Sequence, residues 1–418
     1  MELKAGYKST EVGLIPEGWD FQPLEHITDP QRPIGYGIVQ TGKLVRNGVK
    51  CIRVVDIVNG GIDSENLITT TEQISQAYKR TLLREGDLVL ALRGRIGAVA
   101  VINLALAGTN LTRGVALLSS SEVFDSNYLS QYLASPFGKE TFERNLNGSA
   151  LQEIPIASLR KMHVVVPPLF EQRAIASALS DVDTLLARLD QLITKKRDLK
   201  LATTQQLLTG QTRLPGFSGD WVEQSIASFS AFVSKGSTPT TYGFKWVNSG
   251  ILFLRSECVS ANGLDLSQSM FISESAHACL SRGEVVAGDI LITITGNVGR
   301  VVQLGTDFSV GNTNQHIARI RVKDPKVSSA FVFHWLSQKT VRAVFEKNTT
   351  GQAYPQISLK QVRETQIPLP SRDEQTAIAT VLSDMDAELA ALEARREKTR
   401  ALKQGMMQEL LTGRIRLV

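Results

Sequence analysis

Side chains that could carry out chemistry are few in this sequence and stand far apart. The five histidines (His26, His163, His277, His316 and His334) and the three cysteines (Cys51, Cys258 and Cys279) lack the spacing of a metal or nucleophile site. The sequence has no phosphate-binding G-x-x-x-x-G-K-[ST] loop, no H-E-x-x-H zinc pattern and no G-x-S-x-G nucleophile elbow. It also lacks the N/D-P-P-[FYW] tetrapeptide of amino-methyltransferases and a nuclease P-D…E-x-K pattern. We therefore predict a non-catalytic chain with no cofactor or metal of its own.

Polar side chains in predicted turns are better candidates for a functional role. In the first half of the chain Arg93 and Arg95 flank Gly94, and Arg113 follows Thr112. The comparable turns of the second half carry Asn297, Arg300, Asn314, Gln315 and His316. Arginine reads guanine through two hydrogen bonds, and asparagine and glutamine read adenine in the same way, so these positions predict contacts with DNA bases. The alternative is that they are solvated turn residues, chosen for their backbone conformation.

Two loops rich in threonine, tyrosine and lysine add candidates for phosphate contacts. They are QTGKLV, from Gln40, and GSTPTTYGFKW, from Gly236. Hydroxyl and ammonium groups commonly hold the phosphates of a nucleic acid. The residues expected to contact DNA from these loops are Lys43, Thr238, Tyr242 and Lys245.

The chain repeats itself strongly in two segments. EQRAIASALSDVDTLLARL begins at Glu171 and returns as EQTAIATVLSDMDAELAAL at Glu374, a shift of 203 residues. QQLLTGQTRL, from Gln205, returns as QELLTGRIRL, from Gln408, at the same shift. A repeat of this length indicates two copies of one structural unit.

The intervening segments match more weakly. GDLVLALRGRIGAVAVI, from Gly86, aligns with GDILITITGNVGRVVQL, from Gly288, and IRVVDI aligns with LRSECV. The alternating apolar stretches predict paired strands, and later aromatic stretches have helical spacing. We predict an α+β fold in which two mixed α/β domains, at residues 1–166 and 213–368, alternate with the repeated segments 167–212 and 369–418.

Each repeated segment is predicted to be a long helix. Apolar residues alternate four and three positions apart, as in the seam of a coiled coil, at Ile175, Leu179, Val182, Leu186, Leu189 and Ile193. Prolines precede each segment, and Gly210 and Gly413 follow. A helix of about 40 residues is about 60 Å long and needs a partner for its apolar stripe, which the other copy can supply. A generic coiled-coil stalk is the alternative, but a stalk does not need two copies separated by unlike domains.

Composition narrows the class of protein and its surroundings. The chain has 418 residues, of which 42% are hydrophobic and 21% charged, with a net charge of +5. These values are typical of globular domains, and without a basic tail any DNA contact must come from local clusters. No apolar run reaches the length that a bilayer requires, the first residues do not resemble a secretory signal, and three cysteines suit a reducing compartment. We expect a cytoplasmic protein with no membrane partner.

Two divergent domains alternating with two nearly identical helices resemble the specificity subunit of type I restriction-modification systems. The resemblance spans essentially the whole chain. It is carried in the first half by GLIPEGW, RPIGYGIVQTG, GDLVLALRG, PPLFEQRAIASAL and QQLLTGQTRLP, and in the second by KGSTPT, GDILITITGNVG, LPSRDEQTAIATVL and QELLTGRIRL. Among these motifs, RPIGYGIVQTG and KGSTPT add Arg32, Tyr36 and Lys235 to the expected DNA contacts.

The resemblance implies a non-catalytic role in a larger complex. Each mixed domain would recognise one half of a bipartite, asymmetric site in double-stranded DNA. The two helices would pack antiparallel with pseudo-two-fold symmetry, form a coiled-coil spacer between the half-sites, and dock two modification (M) subunits. Those subunits would bind S-adenosylmethionine and flip and methylate adenine, and two ATP-dependent restriction (R) subunits would complete the nuclease.

The starts of the helices are the expected M-subunit contacts. Glu171 and Gln172 repeat as Glu374 and Gln375, at positions predicted to be exposed. The alternative for these four residues is capping of the helix N-terminus.

Two other classes of protein fit the same pattern. One is a repeat adaptor or scaffold with a coiled-coil spacer, whose domains bind protein or glycan instead of DNA. The other is a self-sufficient restriction-modification enzyme fused to such a module, which the missing catalytic tetrapeptide and the chain length disfavour.

Overall fold

A computed structural model describes residues 6–119, 121–148, 152–260, 263–351 and 355–417. The chain forms two compact units: unit 1 comprises Met1–Asp190 and Ala394–Val418, and unit 2 comprises Gln191–Glu393. Each of the two long helices therefore begins in one unit and ends in the other. None of the helices in the described ranges is long and apolar enough to cross a membrane.

Unit 1 is built mainly from short strands. The strands are β1 (Tyr7–Thr10), β2 (Gly13–Pro16), β3 (Asp20–Pro23), β4 (Gly35–Tyr36), β5 (Val49–Ile52), β6 (Ile57–Val58), β7 (Gly61–Ile62), β8 (Ile68–Thr70), β9 (Leu88–Ala91), β10 (Val99–Val101), β11 (Asn110–Leu111), β12 (Val115–Leu118) and β13 (His163–Val166). The helices are α1 (Leu24–Ile27), α2 (Glu72–Ala77), α3 (Ser126–Ala134), α4 (Pro136–Arg144), α5 (Ile156–Lys161) and the first part of α6 (Leu169–Leu208).

The central sheet of unit 1 is made of the most apolar strands. Its order is β10-β9-β12-β4, and β9 pairs antiparallel with both neighbours. Every residue of β9 and β12 is buried, which explains their uninterrupted apolar sequences LVLA and VALL. A second sheet has the order β11-β5-β8, with β11 parallel to β5.

The core of unit 1 joins the sheet to both long helices. Trp19, Tyr128 and Leu129 pack with Ile175 and Leu179 of α6, and with Leu410 near the end of the second long helix. The first residues of the predicted apolar seam therefore pack against the mixed domain as well as against the second long helix.

Unit 2 repeats this plan with changes at the sheet edges. Its strands are β14 (Val222–Ser225), β15 (Ser230–Lys235), β16 (Ile251–Leu254), β17 (Val259–Ser260), β18 (Gly263–Leu264), β19 (Met270–Ile272), β20 (Glu284–Val286), β21 (Ile290–Thr293), β22 (Val301–Gln303), β23 (Val310–Thr313), β24 (Ile317–Val322) and β25 (Gln366–Leu369). Its helices are α7 (Ile226–Phe229), α8 (Glu274–Cys279), α9 (Ser329–Leu336), α10 (Lys339–Lys347), α11 (Leu359–Glu364) and the first part of α12 (Arg372–Leu410).

The two sheets of unit 2 correspond to those of unit 1. One has the order β15-β24-β21-β22, in which β21 and β24 occupy the places of β9 and β12. The other has the order β19-β16-β23-β20, with β16 and β23 parallel. The core again includes a long helix, because Ile378 and Leu382 of α12 belong to the same apolar cluster as Phe331 of α9.

Within each unit the two helix segments run antiparallel and exchange ion pairs. In unit 1 Asp183 pairs with Lys403 at 2.7 Å. In unit 2 their repeats pair the other way round, Lys200 with Asp386, and Lys196 pairs with Glu388 at 2.7 Å. Asp183 and its repeat Asp386 therefore form ion pairs with lysines of the facing helix segment, and these ion pairs connect the two helices within each unit.

The fold agrees with the sequence in its main elements. The structure confirms the mixed α and β content and the two long helices. It also confirms the strand pairs predicted in the segments that begin at Gly86 and Gly288. Both helices end before a glycine in the left-handed region, Gly210 at φ 70° and Gly413 at φ 68°. The division into four segments is not tested by the two-unit grouping and stays a prediction.

Candidate nucleic-acid interface

In unit 1 three backbone segments meet at the end of β9. The Leu92 amide donates to the Gly114 carbonyl at 2.9 Å, and the Ile154 amide donates to the Leu92 carbonyl at 2.9 Å. The Thr112 amide donates to the Ile52 carbonyl at 3.0 Å. We call the segments around Leu92, Thr112–Gly114 and Ile154, together with residues 53–56, frame 1. They line a cleft of about 1300 Å³ whose walls include Arg53, Val54, Val55, Arg93, Gly94, Thr112 and Gly114.

Frame 1 presents two exposed arginines. Arg93 lies on the wall of the cleft, and Arg113 stands between two wall residues. In the part of the chain that the structure describes, no hydrogen bond or ion pair engages either guanidinium group. Arg95 is also exposed, but its Nη1 donates to the Ile57 carbonyl at 3.3 Å. The donors of Arg93 and Arg113 are therefore available to a ligand that carries acceptors.

The remaining candidates of unit 1 do not share one environment. Tyr36 and Lys43 are exposed, but neither lines the cleft. Arg32 forms two bonds to Asp87, of 2.9 and 2.7 Å, and its side chain is only 10% exposed. A completely buried carboxylate thus holds the guanidinium group of Arg32 within unit 1, which disfavours the predicted DNA contact of this residue.

Unit 2 reproduces the backbone of frame 1. The Ile294 amide donates to the His316 carbonyl at 2.9 Å, the Ile357 amide to the Ile294 carbonyl at 2.9 Å, and the Asn314 amide to the Leu254 carbonyl at 3.2 Å. We call this arrangement, with residues 255–258, frame 2. Thr112, Arg113 and Gly114 of frame 1 are replaced in frame 2 by Asn314, Gln315 and His316.

Frame 2 presents amide and imidazole groups where frame 1 presents cations. Thr238 Oγ1 donates to Gln315 Oε1 at 2.7 Å, and Gln315 Nε2 lies 3.1 Å from His316 Nε2. Asn314 is 7% exposed, and its Oδ1 accepts the His316 amide at 3.0 Å. Asn314 thus shapes the turn, and its burial disfavours the predicted direct DNA contact.

The other candidates of unit 2 are mostly exposed. Lys235, Tyr242, Lys245 and Asn297 all have solvent-accessible side chains. Arg300 is half-buried, and its Nε has no partner within the described ranges. The structure connects Thr238 directly to frame 2 through its hydrogen bond to Gln315.

The residues predicted as exposed M-subunit contacts are buried. The exposed fractions are 0% for Glu171 and Glu374 and 1% for Gln172 and Gln375, so the prediction of exposure is wrong. A partner could not reach these side chains in the folded units. They have internal roles.

The glutamates bind arginines that follow the opposite long helix. Arg416 donates from Nε to Glu171 Oε2 at 3.0 Å, and Trp19 Nε1 donates to Glu171 Oε1 at 3.3 Å. Arg213 binds Glu374 through Nε and Nη2. These hydrogen bonds raise the pKa of Arg213 and of Arg416. Arg213 and Arg416 occupy the same place in the repeat, a signal that the sequence contained.

The two glutamines fix the start of each helix in the same way. Gln172 Nε2 donates to the Pro167 carbonyl at 2.8 Å, and its Oε1 accepts the Asp125 amide at 2.8 Å. Gln375 Nε2 donates to the Pro370 carbonyl at 2.8 Å, and its Oε1 accepts the Ser328 amide at 2.8 Å. Each glutamine therefore ties its helix to the loop that leads into α3 or α9.

Candidate metal sites are missing from the described residues, which contain no group of three or more histidine, cysteine, aspartate or glutamate side chains suited to an ion. The chemistry that the two frames offer is hydrogen bonding and charge attraction. That chemistry suits recognition of a polar or anionic surface.

Comparison with known proteins points to one family. The model of the type I restriction modification DNA specificity domain matches residues 40–196 and again residues 219–401. The EcoKI specificity subunit of Escherichia coli is 22% identical over 97% of this chain and 90% of its own length. The EcoBI specificity subunit of E. coli is 30% identical over 43% of this chain and 40% of its own length.

A solved structure shares the fold. The S subunit of a type I restriction-modification system from M. genitalium superposes with a TM-score of 0.61 at 16% identity, covering 98% of both chains. The two domain matches fall on the two mixed α/β regions and extend into the long helices. This chain belongs to the family of type I restriction-modification DNA specificity proteins.

Proposed function

We propose that this chain is the DNA sequence-recognition subunit of a type I restriction-modification complex and is itself non-catalytic. The observation that carries the proposal is the pair of matched frames. Both use the same three backbone hydrogen bonds, yet one presents Arg93 and Arg113 and the other presents Gln315 and His316. A constant frame with variable polar side chains is suited to reading two different sequences.

Each mixed domain reads one half of a bipartite site in double-stranded DNA. Unit 1 offers unengaged guanidinium groups, which match the two acceptors of guanine in the major groove. Unit 2 offers the linked side chains of Thr238, Gln315 and His316, whose amide suits adenine. Exposed Lys43, Lys235, Tyr242 and Lys245 supply phosphate contacts around the two frames.

The long helices form an antiparallel coiled-coil spacer with pseudo-two-fold symmetry. Two features support this: the reciprocal pairs Asp183–Lys403 and Lys200–Asp386, and the reciprocal pairs Glu171–Arg416 and Arg213–Glu374. Two equivalent surfaces would bind two copies of an M subunit. In this scheme segments 167–212 and 369–418 are the spacer, and 1–166 and 213–368 the recognition domains.

The catalytic groups belong to partner subunits in this proposal. Two M subunits bind S-adenosylmethionine and methylate adenine, and two R subunits use ATP for restriction. M-subunit contacts are drawn from exposed helix residues, since the four buried residues at the helix starts are inaccessible.

Methylation mapping tests the proposal. The full chain is co-expressed with its M subunit in a host that lacks other methylation, and modified adenines are mapped across the genome. We expect a split motif that disappears without this chain. Arg93→Ala should relax one half-site, whereas Arg80→Ala, at an exposed arginine outside the cleft, should leave both halves unchanged. Methylation that is independent of this chain would refute the proposal.

A further inference from the structure

Both frames contain a 3-10 turn that sequence reasoning did not select. The turns are Val54–Asp56 in unit 1 and Ser256–Cys258 in unit 2. An arginine precedes each turn and spans it: Arg53 Nη2 donates to the Asn66 carbonyl at 2.9 Å, and Arg255 Nη2 donates to the Gln268 carbonyl at 3.1 Å. The two turns are therefore clamped in the same way.

The end of each turn is also fixed. Asp56 is 5% exposed and accepts the Arg53 amide at 2.7 Å, and Cys258 is fully buried and accepts the Arg255 amide on Sγ at 3.4 Å. The hairpins β6–β7 and β17–β18 follow directly and have the same register. Such a turn holds its tip in one position without help from a ligand.

The tip residue is the one exposed side chain of each turn. Val55 is 60% exposed and lies on the wall of the frame 1 cleft beside Arg93 and Thr112. Glu257 is exposed at the same place in frame 2. Val54 packs toward the core near Gly94 and Gly114, so Val55 is not needed to fill the interior.

We propose that Val55 and Glu257 contact base edges and set specificity at one position of each half-site. The inference rests on the proposed function and names residues within it. The methyl groups of Val55 match the C5-methyl group of thymine. The Glu257 carboxylate accepts a hydrogen bond from the exocyclic N4 amino group of cytosine. Phosphates repel a carboxylate, so an acidic tip at this surface favours a base contact over a backbone contact.

The test uses the full chain in complex with its M subunit. The substrates are DNA duplexes randomised one position at a time in each half-site, and methylation of each duplex is measured. Val55→Glu should lower the preference for thymine at one position of the first half-site by about 10-fold. Val123→Glu, at a valine 51% exposed outside the cleft, is the matched control and should change no base preference.

Glu257→Gln provides the second arm. It should move preference at one position of the second half-site toward adenine by about 10-fold, because an amide reads adenine through two hydrogen bonds. Glu223→Gln, at an exposed residue of β14, is its control. If Val55→Glu fails to fold, Val55→Ala removes the methyl contacts without adding charge and should weaken the same preference.

Two failures are distinguishable. If the unaltered complex methylates no split motif, the proposed function fails. If it does, and the Val55 and Glu257 variants keep every base preference or weaken all sequences equally, the tip residues do not read bases and this inference is overturned.

Discussion

The buried ion pair of Arg32 and Asp87 allows a test of whether Arg32 stabilises the fold of unit 1 or contacts DNA. Asp87 is completely buried, and besides Arg32 it accepts the Arg84 amide at 2.7 Å. Arg32 also donates to the Leu82 carbonyl at 2.9 Å. Replacing Arg32 with methionine would leave the buried carboxylate without its guanidinium partner. We predict that Arg32→Met destabilises unit 1 and does not act primarily on DNA binding.

The magnitude follows from the partners that remain. Removing one member of a buried ion pair costs about 3–5 kcal/mol, because the other charge is left uncompensated. The Arg84 amide still bonds Asp87, so we expect the lower end of this range, about 3 kcal/mol. The double variant Arg32→Met with Asp87→Asn removes the stranded charge and should recover part of the loss.

Hydrogen–deuterium exchange resolves the effect by unit. In Arg32→Met the amides of β9 and β12 should exchange about 100-fold faster, whereas those of β21 and β24 should be unchanged. Arg321→Met is the matched control, because Arg321 binds buried Asp289 at 2.7 and 2.6 Å, and it should show the reverse pattern. Unaltered exchange in Arg32→Met together with lost DNA binding would refute the reasoning and restore Arg32 as a DNA contact.

Three further changes have defined outcomes. Burial lowers the pKa of His334 to about 4, so the unfolded chain binds the proton first as pH falls from 7 to 5. Urea unfolding should therefore show unit 2 losing about 2 kcal/mol over that range, and His334→Gln should abolish the loss. Gly37→Ala would place a Cβ 2.1 Å from the Leu111 carbonyl oxygen and should destabilise unit 1 by about 1–3 kcal/mol in the same assay; unchanged stability would contradict this contact. Arg113→Gln copies Gln315 into frame 1 and should shift one position of the first half-site from guanine to adenine in methylation mapping, with the second half-site unchanged.

The repeat made the long helices and the paired strands predictable. Copies shifted by 203 residues, flanked by prolines and glycines, define where α6 and α12 begin and end to within a few residues. Local pattern is enough for such elements because their hydrogen bonds connect residues close in sequence.

The burial of charged residues was not predictable from local pattern. Glu171 resembles an exposed residue of a helix start, but its partner Arg416 lies 245 residues away. Arg32 resembles a DNA contact until its partner Asp87 is seen 55 residues away. Long-range pairing of this kind depends on tertiary packing, which helix and strand periodicity do not encode.

The exposure of the tip residues Val55 and Glu257 could not be predicted from the sequence for a different reason. Val55 in RVVDI reads as part of a buried strand, and its 60% exposure follows from a 3-10 turn clamped by Arg53. The alignment of IRVVDI with LRSECV was the available signal, since a shared arginine precedes a pair of unlike residues.

The discontinuity of unit 1 has a consequence for synthesis on the ribosome. Unit 2 is one continuous stretch, Gln191–Glu393, whereas unit 1 needs Ala394–Val418 for its core, through Met407, Leu410 and Leu411, and for the bond of Arg416 to Glu171. Domains usually complete folding in the order in which they emerge. Here the order is inverted, because unit 1 begins first along the chain but cannot complete its core until residues after unit 2 have left the exit tunnel. A chain interrupted before Met407 therefore lacks part of the core of unit 1, although all of unit 2 has been made.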